Sequence, residues 1–217
     1  MENHTAFIGK TLALSPVVPV LTITRIADAV PLARALCAGG LLVLEVTLRT
    51  DCALQAIERI AQQVPEAVVG AGTITTPEDL ARSRDAGARF AVSPGLTPRL
   101  LAAAVAGALP LLPGVATPSE VMLAQDAGLR YLKLFPAAVL GGVARLKALA
   151  GPFADIRFCP TGGVNEQNLR DYLAQPHVVC VGGTWLTPAA LVETQDWTGV
   201  GKLAAQAVRL AGSPAER

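Results

Sequence analysis

Short apolar runs recur at 17–23, 42–46, 67–70, 90–92, 109–112, 131–134, 156–159 and 178–181. Between them lie longer stretches with helical spacing, for example 26–37, 52–64, 77–86 and 165–173. Runs that are apolar throughout, without in–out alternation, predict strands of a parallel sheet covered on both faces. Regular alternation of such strands with amphipathic helices predicts the α/β class. Four of the helical stretches open on Thr-Pro: Thr76-Pro77, Thr97-Pro98, Thr117-Pro118 and Thr187-Pro188. Threonine accepts N–H bonds at a helix start, and proline in the first turn gives up only a donor that has no partner there. Eight strand–helix units in a chain of this length predict a single (β/α)8 TIM barrel over 1–217, with a short N-terminal helix over 5–14 that could plug its bottom. An open doubly wound sheet for a dinucleotide would carry a glycine-rich turn after its first strand. The chain reads Ile23-Thr24-Arg25-Ile26 there.

Hydrophobic residues make up 52% of the chain with only 4% aromatics, which suits a large core of Ala, Leu and Val. The 18 basic and 17 acidic side chains leave a net charge of +1, which gives no footprint for nucleic acid or an anionic membrane. Two long uncharged stretches, 100–119 and 172–192, are broken by glycines and prolines, so each predicts helix, turn and strand and no membrane span. Met1-Glu2-Asn3-His4 is not a basic leader, and Cys37, Cys52, Cys159 and Cys180 show no C-x-x-C spacing. Free thiols in a reducing cytoplasm are expected. With His4 and His177 the only histidines, no metal and no cofactor are expected.

Lys133 interrupts the pattern. It sits in Tyr131-Leu132-Lys133-Leu134-Phe135-Pro136, whereas Lys10, Lys147 and Lys202 lie in helical, solvated segments. An ammonium in an apolar strand carries a large desolvation cost unless something uses it, and a desolvated amine is the nucleophile that adds to ketones. Lys133 is therefore a Schiff-base candidate; the structural alternative is a lysine that snorkels to water or pairs with a carboxylate. Barrel chemistry collects at the C-terminal ends of strands. There Glu45, between Leu44 and Val46, is a candidate proton shuttle or one half of an ion pair with Arg49 or Lys133. Arg49 offers a planar fork to a carboxylate, or is an ordinary exposed arginine near Asp51. Thr73 ends Gly70-Ala71-Gly72-Thr73, a turn that alone need only cap a helix. Pro94 and Phe135 either wall a site or simply pack. Gly162-Gly163 and Gly182-Gly183, at the seventh and eighth strand ends, together point to phosphate, since glycine lets an anion approach backbone N–H groups.

Leu44-Glu45-Val46-Thr47-Leu48-Arg49-Thr50, Gly70-Ala71-Gly72-Thr73, Ser93-Pro94-Gly95-Leu96, Lys133-Leu134-Phe135-Pro136-Ala137 and Arg157-Phe158-Cys159-Pro160-Thr161-Gly162-Gly163 closely resemble the bacterial 2-keto-3-deoxy-6-phosphogluconate (KDPG) aldolase family, also described as 4-hydroxy-2-oxoglutarate (KHG) aldolases. The resemblance spans Pro16 to about Pro188. It implies a class I aldolase acting on a small 2-oxo acid, with Lys133 as the Schiff-base lysine and Glu45 as the general acid/base. It further implies that Arg49 and Thr73 hold the pyruvyl carboxylate and that Gly162, Gly163, Gly182, Gly183 and Thr184 hold the phosphate. The family usually has Ser at the position of Thr184, and Thr161 matches a position linked to stereochemical preference at C4. A cytoplasmic homotrimer serving the Entner–Doudoroff route is implied as well. The residues alone leave open a phosphosugar isomerase or epimerase that uses Glu45 as base without an imine.

Overall fold

The computed structural model describes residues 2–212. Met1 and 213–217 of the expected 1–217 domain lie outside the described residues. The chain opens with α1 (Glu2–Leu12), then β1 (Val17–Leu21), a 3₁₀ turn (Ile26–Asp28), α2 (Ala29–Ala38), β2 (Val43–Thr47), α3 (Ala53–Gln63) and β3 (Val68–Gly72). Next come α4 (Pro77–Asp85), β4 (Phe90–Val92), α5 (Pro98–Ala106), β5 (Leu111–Leu112), β6 (Gly114–Val115), α6 (Pro118–Asp126) and β7 (Tyr131–Leu134). The rest comprises α7 (Gly142–Ala150), β8 (Arg157–Pro160), α8 (Leu169–Leu173), β9 (Val181–Gly183), α9 (Ala189–Glu193) and α10 (Trp197–Ala211).

Where the elements depart from the pattern, local chemistry explains it. The side chains of Thr76, Thr97 and Thr117 accept N–H bonds at the starts of α4, α5 and α6, and Asp79 and Glu120 complete capping boxes. Thr187 does not cap: Pro188 is extended at ψ 139, and α9 follows it with no side-chain cap bond. Of the helix expected over 165–173, α8 keeps 169–173; the residues before it form a turn in which Asn165 Oδ1 accepts the N–H groups of Gln167 and Asn168. The run at 109–112 becomes two strands split at Pro113, which has no N–H for a ladder. The last strand falls at Val181–Gly183, later than 178–181.

Every pairing between the strands is parallel. One sheet has the order β5-β4-β3-β2-β1-β9 and the other β6-β7-β8. Two isolated bridges, Phe158↔Val178 and Thr161↔Gly182, join the second sheet to the approach and the body of β9. Between them the partner of β8 advances one residue more than β8 itself, a bulge beside Pro160.

This curled parallel sheet buries two separate apolar layers. Leu44, Val46, Val69, Ala71, Leu132 and Leu134 pack outward with the helices. Val18, Val43, Phe90, Val92, Leu112, Cys159 and Cys180 form the inner, concave layer. Ile8 and Leu12 of α1 belong to that inner layer, so the helix does cover one end of the curl, as expected. An isolated helix of 11 residues is marginal in water, so docking is what holds α1. Burying Ile8 and Leu12 contributes roughly 1.5–3 kcal/mol each. Thr5 Oγ1 donates to Gly128 O (3.1 Å), and the Arg89 guanidinium lies 5.7 Å from the Phe7 ring centre.

Candidate active site

The concave face carries Val43, Glu45 and Thr47 from β2, Gly70 and Gly72 from β3, and Lys133 from β7. Above the apolar layer the lining turns polar. Glu45 and Lys133 are 3% and 6% exposed, and Lys133 Nζ donates to Glu45 Oε1 and Oε2 at 3.1 and 3.3 Å. The ion pair anticipated as a structural alternative for Glu45 is thus present. Stability does not account for it, because a buried pair is often no better than apolar residues of the same volume. It does bring an amine and a proton acceptor into contact where water is excluded. The ring of Phe135 adds a face 5.4 Å from Nζ, so this residue lies against the amine.

Glu45 has room because β3 carries no side chain opposite it. A Cβ on Gly72 would collide with the Glu45 carboxylate, and one on Gly70 with the Phe90 ring. Thr47, fully buried, donates to Leu21 O (2.9 Å), and its Oγ1 lies 3.1 Å from Thr22 Oγ1. Arg49, exposed at the mouth, donates from Nε to Thr73 Oγ1 at 3.0 Å. That bond fixes the plane of the guanidinium. Thr73 itself has φ 61, a left-handed backbone rare for a β-branched residue and costing about 1–3 kcal/mol.

The two Gly-Gly turns meet. Thr161, buried, bridges to Gly182, and a Cβ at Gly182 would strike its Oγ1. Gly162 and Gly163 have φ 95 and 78, which only glycine adopts without strain. A Cβ on Gly163 would strike Ala138, and one on Gly183 the Trp185 ring. Ala137 N and Ala138 N donate to the carbonyls of Thr161 and Gly162 (2.8 and 3.0 Å), so the segment after Lys133 is tied to the first turn. Thr184 and Pro94 are exposed at the same end. A Cβ on Gly114 would strike the Pro94 backbone, so the Pro94 loop lies directly on β6.

Sequence reasoning passed over the separate part of Gly72; a glycine inside a strand, where close approach is the usual cause, was the available signal. It also passed over Asp28, 2% exposed, which accepts from Arg25 Nε (2.7 Å) and Gln195 Nε2 (3.0 Å) and ties the turn after β1 to the segment before α10. Among the described residues no cluster of three His, Cys, Asp or Glu side chains could hold a metal ion, and no helix is long and apolar enough to cross a membrane.

A parallel α/β fold with a buried lysine–glutamate pair at strand ends defines the class, and comparison defines the family. Residues 8–203 match the model of the KDPG and KHG aldolases, and the chain belongs to that family. A 2-dehydro-3-deoxy-phosphogluconate aldolase of Dickeya dadantii is 55% identical over 208 residues, covering 96% of this chain and 98% of the relative. The KDPG aldolase of Legionella pneumophila, solved with pyruvate captured as a covalent carbinolamine, superposes with a TM-score of 0.90 at 46% identity, covering 92% of this chain and 97% of that one. The aldolase of Zymomonas mobilis, solved with 3-phosphoglycerate, gives 0.91 at 48% identity, covering 95% and 97%.

Proposed function

We propose that this protein is a class I aldolase that cleaves KDPG to pyruvate and glyceraldehyde 3-phosphate, and 4-hydroxy-2-oxoglutarate to pyruvate and glyoxylate. The observation that carries the reading is Lys133 Nζ, buried and 3.1 Å from Glu45. Lys133 adds to the C2 ketone, giving a carbinolamine. Loss of water leaves a protonated imine, which serves as the electron sink. Glu45 takes the proton of the C4 hydroxyl; the C3–C4 bond breaks, its electron pair moves to C3 and the imine becomes an enamine. The aldehyde departs, Glu45 returns a proton to C3, and water hydrolyses the imine to free pyruvate and the amine. Each turnover consumes the water it released, and no cofactor enters.

Arg49, its plane fixed by Thr73, binds the carboxylate next to the reacting ketone. Gly162, Gly163, Gly182, Gly183 and Thr184 bind the phosphate of the six-carbon substrate; their convergence through the Thr161↔Gly182 bridge supports this. Thr161, buried where the two Gly-Gly turns meet, influences the stereochemistry at C4, and Pro94 and Phe135 wall the imine from water. The covalent carbinolamine in the Legionella relative supports imine chemistry over an isomerase that would use Glu45 alone.

We also propose that the two sheets form one closed eight-stranded barrel in a single domain over 1–217. Supporting this, β5 and β6 are separated by Pro113 alone and the two bridges lead from β8 to β9. A homotrimer working in the cytoplasm in the Entner–Doudoroff route completes the reading, with the mass by light scattering as its test. For the chemistry, the protein is incubated with pyruvate and borohydride. A reduced pyruvyl adduct on Lys133 by mass spectrometry is expected; an unmodified lysine in a protein that still cleaves KDPG refutes the imine.

A further inference from the structure

One glycine in the site is not explained by backbone geometry. The turn after β3 contains a left-handed residue, the usual reason for glycine, but that residue is Thr73, with φ 61. Gly72 lies in the strand, paired with Thr47 of β2, and its carbonyl accepts Leu48 N at 2.9 Å. An alanine would suit that extended backbone. What it would not suit is Glu45: a Cβ on Gly72 would overlap Oε1 and lie 2.6 Å from Cγ and 2.8 Å from Cδ. Because the β2–β3 ladder pins the backbone of Gly72, the strand cannot retreat, and the glutamate would have to swing away from Lys133.

Resting on the aldolase reading, we infer that Gly72 is a positioning residue for Glu45, its missing side chain forming the slot that seats the carboxylate against Lys133. The slot selects one direction for a side chain that could otherwise turn toward Thr47 and the mouth. It thereby sets which atom the carboxylate can reach in the proton transfers at C3 and C4.

The test uses Gly72→Ala in the full-length protein, with Glu45 intact and with Glu45→Ala. Three quantities are measured: the thermal midpoint, borohydride trapping of pyruvate, and exchange of the pyruvate methyl protons in D2O by proton NMR. Gly72→Ala is expected to keep the trapped adduct while slowing methyl exchange about 10²-fold, the lower end of what a general acid/base supplies. In Glu45→Ala, which lacks the carboxylate, adding Gly72→Ala is expected to change neither the midpoint nor the residual exchange, since both substitutions remove the same thing. Normal exchange in Gly72→Ala overturns the inference. So does an equal fall in midpoint in both backgrounds, which would place the collision elsewhere. The midpoint comparison needs no catalysis, so it decides the slot even if the wild-type protein fails to trap pyruvate, a result that would refute the aldolase reading instead.

Discussion

The amine of Lys133 and the carboxylate of Glu45, 88 residues apart in sequence, are held at 3.1 Å between β7 and β2. The proposed mechanism divides their labour, and substitution should separate the parts. Lys133→Ala is expected to form no adduct with pyruvate. Glu45→Gln keeps an oxygen for Nζ and should still be trapped, but KDPG cleavage should slow roughly 10²–10⁴-fold. Glyceraldehyde 3-phosphate release measures this, and full activity in Glu45→Gln would strip that residue of its role.

Arg49 and Thr73 form the second testable pair. Arg49→Lys keeps the charge but loses both the Nε bond to Thr73 and the planar fork. A charge-assisted hydrogen bond contributes about 1.5–3 kcal/mol, so KM should rise about 10- to 100-fold. Because the proposed mechanism holds the carboxylate alike before and during bond cleavage, kcat should change much less. Steady-state kinetics on KDPG decides; an unchanged KM would move the carboxylate elsewhere.

Two capping carboxylates set an acid limit on stability. Burial pushes the Asp79 carboxyl up, but bonds from Arg82 and from the backbone and hydroxyls of Thr75 and Thr76 outweigh it and hold the group below the usual aspartate value. Burial is likewise outweighed at Glu120 by the Ala116 N–H and the hydroxyl and N–H of Thr117. A carboxyl depressed by folding contributes stability that is complete above its unfolded value, about 4, and is lost as pH falls through the folded value. Thermal midpoints of Asp79→Asn and Glu120→Gln should therefore approach wild type as pH drops below about 4. A constant gap would show that the charge contributes nothing.

Gly9 reports on the seating of α1. Alanine is the better helix former by up to about 1 kcal/mol. Here its Cβ would come within 2.6 Å of Tyr131 Cζ. Overpacking of this kind typically costs 1–3 kcal/mol, so the clash should win. Gly9→Ala should melt a few degrees lower, about 2–4 °C per kcal/mol for a chain of this size. Adding Tyr131→Ala should turn the alanine at position 9 from harmful to neutral or better. Additive losses would contradict the contact.

Much of this was legible in the chain because strands covered on both faces tolerate few polar residues. Against that background Lys133 and Glu45 stood out, and each apolar run has a strand in it or beside it. Three Thr-Pro pairs marked real helix starts. Thr187 misled because the capping signal says nothing of whether the following backbone turns at once into helix. At 165–173 the spacing does not reveal that the first residues form a turn, capped by Asn165, before α8 begins at Leu169. The positive φ of Thr73 and the slot at Gly72 depend on which strand lies opposite, and register between β2 and β3 is not written in either segment alone.

The covering helix has a consequence for how the chain is made. The residues of α1 leave the ribosome before Phe90, Leu112, Cys159 and Cys180, which share their inner layer. β1 waits similarly, since one of its two neighbours is β9. Helix α1 and β1 therefore stay incompletely buried until β9 has been made, with their apolar faces available to chaperones.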